Sequence, residues 1–128
     1  MFHIKEIRFE DLKYCYELDL ISINLWSKNQ WLNELKINNA RGLGLYLEKS
    51  LVGVCIFFKI FEEVELRYLS IHPKFKSRGL GKFLFYNFLE LCKKEDIYKI
   101  FLEVSIENKK ALSFYDYFGF KTIGIRKK

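Results

Sequence analysis

One stretch of this chain changes periodicity halfway along, and that change constrains everything on either side of it. In Leu69-Ser70-Ile71-His72-Pro73-Lys74-Phe75-Lys76-Ser77-Arg78-Gly79-Leu80-Gly81-Lys82 the residues up to Ile71 are extended and apolar, and Pro73 stops the strand. From Gly79 onward, apolar residues recur at Leu80, Phe83, Leu84, Phe88 and Leu91 in helical spacing. The stretch therefore reads strand, basic turn, helix. Glycines at a helix mouth leave backbone N–H groups bare, the first helical amides have no intrahelical partner, and the helix dipole adds partial positive charge. Lys74, Lys76, Arg78 and Lys82 add full charges, so the turn predicts a diphosphate cradle. Two familiar phosphate loops are excluded. A P-loop needs Ser or Thr after its Gly-Lys, and Phe83 follows Gly81-Lys82; a dinucleotide fingerprint needs a third glycine where Leu84 stands.

At 128 residues, half of them apolar, the chain has room for one core, and residues 1–128 read as a single domain. The net charge of +6 suits an anionic ligand or an RNA-rich setting, yet the lysines lie along the whole chain, as solvated surface would place them. Cys15, Cys55 and Cys92 are odd in number and each sits among apolar neighbours, which predicts free thiols and a cytoplasmic protein. With only His3 and His72 beside them, no metal site is expected. The longest apolar run, Leu51 to Phe58, is far short of the roughly 20 residues of a membrane span.

Residues 2–8 read as a first strand, followed by a helix from Glu10 or Asp11 with Leu12, Cys15, Tyr16 and Leu20 on its apolar side. A second helix starts after Ser27, with Trp31, Leu32 and Leu35 on one face. Gly42 to Glu48, Leu51 to Ile60 and Val64 to Ile71 predict an antiparallel meander. The helix from Gly79 to Lys94 then leads to a strand, Lys99 to Ser105, through a parallel crossover. A last helix over about 108–118 ends at Gly119, and Phe120 to Ile125 reads as another strand. The fold class is α/β (α+β), with a mixed, mostly antiparallel central sheet flanked by helices.

Alternation along Lys99 to Ser105 puts Glu103 on the face of Phe101. A carboxylate there is either a general base with a burial-raised pKa or a strand-end glutamate paired with a lysine. Tyr115 lies in the apolar stripe Ala111, Phe114, Tyr115, Phe118, where a core aromatic is the plainer reading. Asn108 suits a helix N-cap.

The basic residue, two residues, Gly, one residue, Gly after a strand resembles the acetyl-CoA loop of the GCN5-related N-acetyltransferases. The run Leu102-Glu103-Val104 through Asn108, Ala111, Tyr115 and Gly119-Phe120 is similar to the bacterial ribosomal-protein-alanine N-acetyltransferases in particular. The likeness covers residues 64–126 well and the first half weakly. It implies acetyl-CoA as co-substrate, with Leu69, Ser70 and Ile71 along its pantetheine arm, Ser77, Arg78, Gly79, Leu80, Gly81 and Lys82 at its pyrophosphate, and Asn108 as a further contact. It aligns Glu103 with the family's proton acceptor and Tyr115 with the tyrosine that protonates the leaving thiolate. The helical pair carrying Trp26 and Trp31 aligns with the border of the acceptor groove, although both rings also suit a cap on the core. Lys76 departs from the usual Gln or Arg, keeping the charge without the planar fork.

No nucleophile stands out, so the expected reaction is direct acetyl transfer within a ternary complex. The expected acceptor is a protein N-terminal α-amine, alanine of a ribosomal protein first; a small amine, an aminoacyl-tRNA or a lysine are the alternatives on the same fold. A noncatalytic ribosome- or RNA-binding module ranks below them, since neither a stacking motif nor a concentrated basic stripe is present. No membrane and no direct nucleic-acid partner are expected. The likeness also implies one more strand after Phe120 to Ile125, which the chain ending at Lys128 lacks. An unpaired edge beside Phe120 to Ile125 is therefore expected, covered in a homodimer or marking a truncated chain with impaired acceptor binding.

Overall fold

In the computed structural model, which describes residues 1–37 and 39–124, nine regular elements follow one another. They are β1 (Phe2–Glu6), α1 (Leu12–Ile21), α2 (Lys28–Lys36), β2 (Ala40–Leu47), β3 (Ser50–Ile60), β4 (Glu63–Ile71), α3 (Leu80–Lys94), β5 (Lys99–Phe101) and α4 (Lys109–Tyr117). The strands form one sheet in the order β1-β2-β3-β4-β5. The first four pair antiparallel as a meander, and β5 joins β4 in parallel after the α3 crossover.

The helix ends follow local chemistry. At α2, Ser27 Oγ accepts from the Gln30 amide at 3.1 Å while Gln30 Oε1 accepts from the Ser27 amide at 2.7 Å, a reciprocal capping box. At α4, Asn108 Oδ1 accepts from the Ala111 amide at 3.1 Å.

Both sheet faces are covered, each by its own apolar cluster. α3 buries Leu84, Phe85, Phe88 and Cys92 against Cys55, Phe57, Val64 and Leu66. α1 and α2 bury Cys15, Leu18 and Trp31 against Val54, Ile56 and Tyr68 on the other face. Phe85 is a hub, with the rings of Phe114, Tyr115, Phe118 and Phe120 all within 5.8 Å of it. Losing such a buried ring costs about 3–5 kcal/mol, so Phe85 holds α4 in place as well as filling the core.

Three expectations are corrected. Leu20 is exposed, and Leu18 and Asp19 take the inner face of α1 instead, in line with Cys15 one turn before. The strand expected over Lys99 to Ser105 stops at Phe101, where its ladder with β4 ends at Glu65↔Phe101. Residues 120–124 form no strand, and Ile125 lies outside the described residues. Among the described residues the sheet ends at β1 and β5, so nothing there supports the edge expected beside Phe120 to Ile125 or a homodimer through it.

One part-buried network ties the end of α3 to β2 and β3. Glu95, just past α3, accepts from Arg41 Nη1 at 2.7 Å and Nη2 at 3.0 Å and from Lys59 Nζ at 2.8 Å. The Arg41 and Lys59 hydrogen bonds outweigh partial burial and bring its carboxyl down to about 2, from an ordinary value of 4.5. A depressed carboxylate contributes stability that is complete above about pH 4.5 and is lost as pH falls toward 2. Glu95→Gln should cost about 1–2 kcal/mol at pH 7 and flatten the dependence of melting temperature on pH across that acid window. An unchanged acid-side slope would show the network to be idle.

Candidate functional site

The basic turn between β4 and α3 is built as a concave set of amides. Pro73–Phe75 makes one 3-10 turn, with His72 Nδ1 accepting from the Lys74 amide at 3.0 Å. Ser77 and Gly79 then take left-handed backbone conformations, φ 65° and 78°. Gly79 caps α3, its carbonyl accepting from the Phe83 amide at 3.0 Å. From Ser77 to Lys82, none of the backbone N–H groups donates to another described residue. Left-handed residues interspersed in a turn aim successive amides into one concavity, which binds anions. Space at Gly79 is open: a Cβ there would meet nothing within 4 Å. Two of the cations rest on rings at the rim, Arg78 at 5.4 Å from the Phe75 centroid and Lys82 at 3.8 Å from that of Tyr117. Both ring partners escaped the sequence reading: Phe75 meets its cation across an irregular turn, and Tyr117 lies on another helix.

The second part of the site is a parting of strands. β4 and β5 pair only from Glu63↔Lys99 to Glu65↔Phe101. Immediately beyond, the pairing of β4 with β3 steps from Phe57↔Leu66 to Ile56↔Tyr68, so that Arg67 is an extra residue, a β-bulge. From Leu66 to Ile71 the edge of β4 away from β3 has no ladder partner among the described residues. A free strand edge that runs into an amide nest fits a ligand with an extended, amide-bearing arm and a diphosphate end. Leu69, Ser70 and Ile71 lie on this edge, and Ser77 to Lys82 form the nest, so the structure brings the sequence-selected binding residues into one continuous track. Asn108 is exposed at the start of α4 and is engaged there as an N-cap.

Tyr115 and Glu103 have different surroundings. Tyr115 packs with its ring 5.4 Å from Phe85 and 5.1 Å from Phe114. Its hydroxyl has no hydrogen-bond partner among the described residues. Burial, helped by the Cys55 thiol, pushes its pKa above the ordinary phenol value, which keeps the proton on. Glu103 corrects an expectation. It lies two residues past the end of β5 and is exposed, not buried on a strand face as expected. The alternation itself persists, with Leu102 turned into the core on the α3 side and Glu103 turned outward.

A third group was not anticipated. Asp19 is fully buried, and its carboxylate accepts from the Leu25 and Trp26 amides, from Trp31 Nε1 and from Tyr68 Oη, at 2.8–3.0 Å. Burial alone would raise its pKa, but those hydrogen bonds prevail and hold it below the usual aspartate value. The available signal was its place four residues after Cys15, which puts a lone acid on the inner stripe of α1. Among the described residues, no group of three His, Cys, Asp or Glu could hold a metal ion. Nor is any helix there long and apolar enough to cross a membrane.

Residues 4–120 match the Acetyltransferase (GNAT) family. A Bacillus subtilis protein named as a ribosomal protein bS18-alanine N-acetyltransferase is 32% identical over 127 residues, covering 97% of this chain and 83% of that one. The crystal structure of the ribosomal-protein-S18-alanine N-acetyltransferase of Escherichia coli superposes with a TM-score of 0.93 at 21% identity, covering 99% of this chain and 82% of that one. The PaiA N-acetyltransferase of Thermoplasma acidophilum, solved in complex with coenzyme A, superposes with a TM-score of 0.81 at 24% identity, covering 94% and 90%.

Proposed function

Because the chain belongs to the Acetyltransferase (GNAT) family, we propose that it moves acetyl from acetyl-CoA to the N-terminal α-amine of a cytoplasmic protein, with alanine of a ribosomal protein as the leading acceptor. The observation that carries the reading is the edge of β4, unpaired among the described residues beyond Glu65, leading into the amides of Ser77 to Lys82, which donate to no described residue. Those residues and Asn108 would hold the cofactor, whose thioester supplies the activated acyl group. Glu103, outward on the side away from α3, takes the proton from the incoming amine. Tyr115 holds the proton that the departing thiolate needs, at Oη.

The cysteines support transfer without a covalent enzyme intermediate. All three are free and buried. Burial pushes the Cys15 thiol up to about 12, that of Cys92 up to about 11, and that of Cys55 higher still. None is a thiolate at neutral pH.

The choice of acceptor rests on the named relatives and on proton cost. An α-amine with pKa near 8 is roughly a tenth neutral at pH 7, whereas a lysine near 10.4 must lose about 3 kcal/mol more to reach the same state. An exposed carboxylate is a modest base and suits the easier task. Two peptides test this: one with a free N-terminal alanine and no lysine, one with a blocked N-terminus and an internal lysine. Mass spectrometry should find the α-amine acetylated at least tenfold faster; acetate mainly on lysine would overturn the assignment.

A further inference from the structure

The buried Asp19 network joins the two halves of this site, and that deepens the reading above, on which it rests. The segment between α1 and α2 has no regular structure from Ser22 to Ser27. Its backbone is nevertheless pinned from beneath: Asp19 accepts from the Leu25 amide at 3.0 Å and the Trp26 amide at 2.9 Å, and the Asp19 carbonyl accepts from the Asn24 amide at 2.7 Å. Pinned this way, the segment leaves Ile23 and Leu25 about half exposed, a fixed apolar ledge.

The same carboxylate reaches the sheet. Tyr68 Oη donates to Asp19 at 2.8 Å and accepts from Ser70 Oγ at 2.8 Å, and Ser22 Oγ lies 3.4 Å from Ser70 Oγ. Tyr68 and Ser70 belong to the unpaired stretch of β4, and both side chains are buried. One acid therefore holds the ledge and the cofactor strand in fixed relation. The amine must approach from the side of the sheet that Glu103 faces, the side that α1 and α2 cover, so the ledge stands where an acceptor's first residues would lie.

We propose that Asp19 is a positioning residue for the acceptor, fixing the segment from Ser22 to Ser27 against Tyr68 and Ser70 of β4. Its four donors leave no room for a neutral amide, whose NH2 group would face N–H groups. Tyr68→Phe removes the hydroxyl that bridges Asp19 and Ser70, two hydrogen bonds in all, and keeps the ring that packs against Trp26 and Trp31, at 5.1 and 4.9 Å.

The test is steady-state kinetics of the wild type, Asp19→Asn and Tyr68→Phe with acetyl-CoA and the alanine-initiated peptide, or with the lysine peptide if the wild type prefers it. Wild-type preference alone judges the acceptor class; the variant-to-wild-type ratio judges Asp19. The expected result is a KM for the acceptor raised about tenfold in Tyr68→Phe and more in Asp19→Asn, with the KM for acetyl-CoA within twofold of wild type. Should Asp19→Asn fail to fold, Tyr68→Phe decides. A lowered melting temperature with both KM values unchanged would leave only a structural role, and equal rises in the two would mean general loosening; either result overturns the proposal.

Discussion

Tyr115→Phe is expected to lower turnover toward the upper end of a tenfold to thousandfold range while leaving acetyl-CoA binding nearly intact. The substitution removes one oxygen and nothing else that holds the fold. The ring keeps its packing against Phe85 and Phe114, and the hydroxyl gives up no hydrogen bond to a described residue. Burial holds the phenol protonated, which is the state a proton donor must start from. Glu103→Gln should fall near the tenfold end, because an exposed carboxylate works beside water that can relay the same proton. The measurements are single-turnover rates and cofactor affinity for both variants. An unchanged rate removes the catalytic role of that residue; a lower melting temperature for Tyr115→Phe would return it to the core.

Gly79→Glu should abolish the stabilisation that acetyl-CoA gives. At a ligand concentration about a hundred times Kd, binding adds about 2.7 kcal/mol, which for a chain of this size raises the melting temperature on the order of 10 °C. The glutamate would put a carboxylate among the amides meant for a diphosphate. Backbone strain is a separate effect: any side chain at φ 78° costs about 1 kcal/mol, but the space around the position is open. Gly79→Ala carries the same strain without the charge and should keep most of the shift. Equal shifts in the wild type and Gly79→Glu would refute the placement of the diphosphate.

The parts of this molecule that were legible in the sequence are those in which a local rule and the global fold agree. The turn at Pro73, the helix beginning beside Gly79, the Ser27 and Asn108 caps and the parallel crossover all follow from short-range chemistry that the packing leaves in place. What was misread depends on a neighbour. Periodicity admits either Leu20 or Asp19 to the inner stripe of α1, and only the donors on the α1–α2 segment, α2 and β4 explain why the acid is the one inside. The strand through Glu103 was drawn too long because its apolar alternation continues after its ladder has ended. Alternation records which way side chains face, while a ladder also needs a partner within reach. The sequence offered the candidate residues one by one; the parting of β4 from β5, which sets how they lie relative to one another, was not legible in it.

The bulge at Arg67 has a consequence for how this enzyme can change over generations. Upstream of it, even-numbered residues of β4 such as Val64 and Leu66 face α3; downstream, even-numbered residues such as Tyr68 face α1 and α2. One surplus residue reverses the parity of the strand. Point substitutions at Arg67 leave that parity alone and act instead on a two-pronged ion pair with the buried carboxylate of Glu34. Loss of the codon would act as a reading-frame error in space, turning the phenol of Tyr68 toward the apolar cluster under α3 and Leu69 toward the buried carboxylate. The side chain at this position answers to its partner Glu34, whereas the number of residues between Leu66 and Tyr68 sets the face of every residue that follows in the strand.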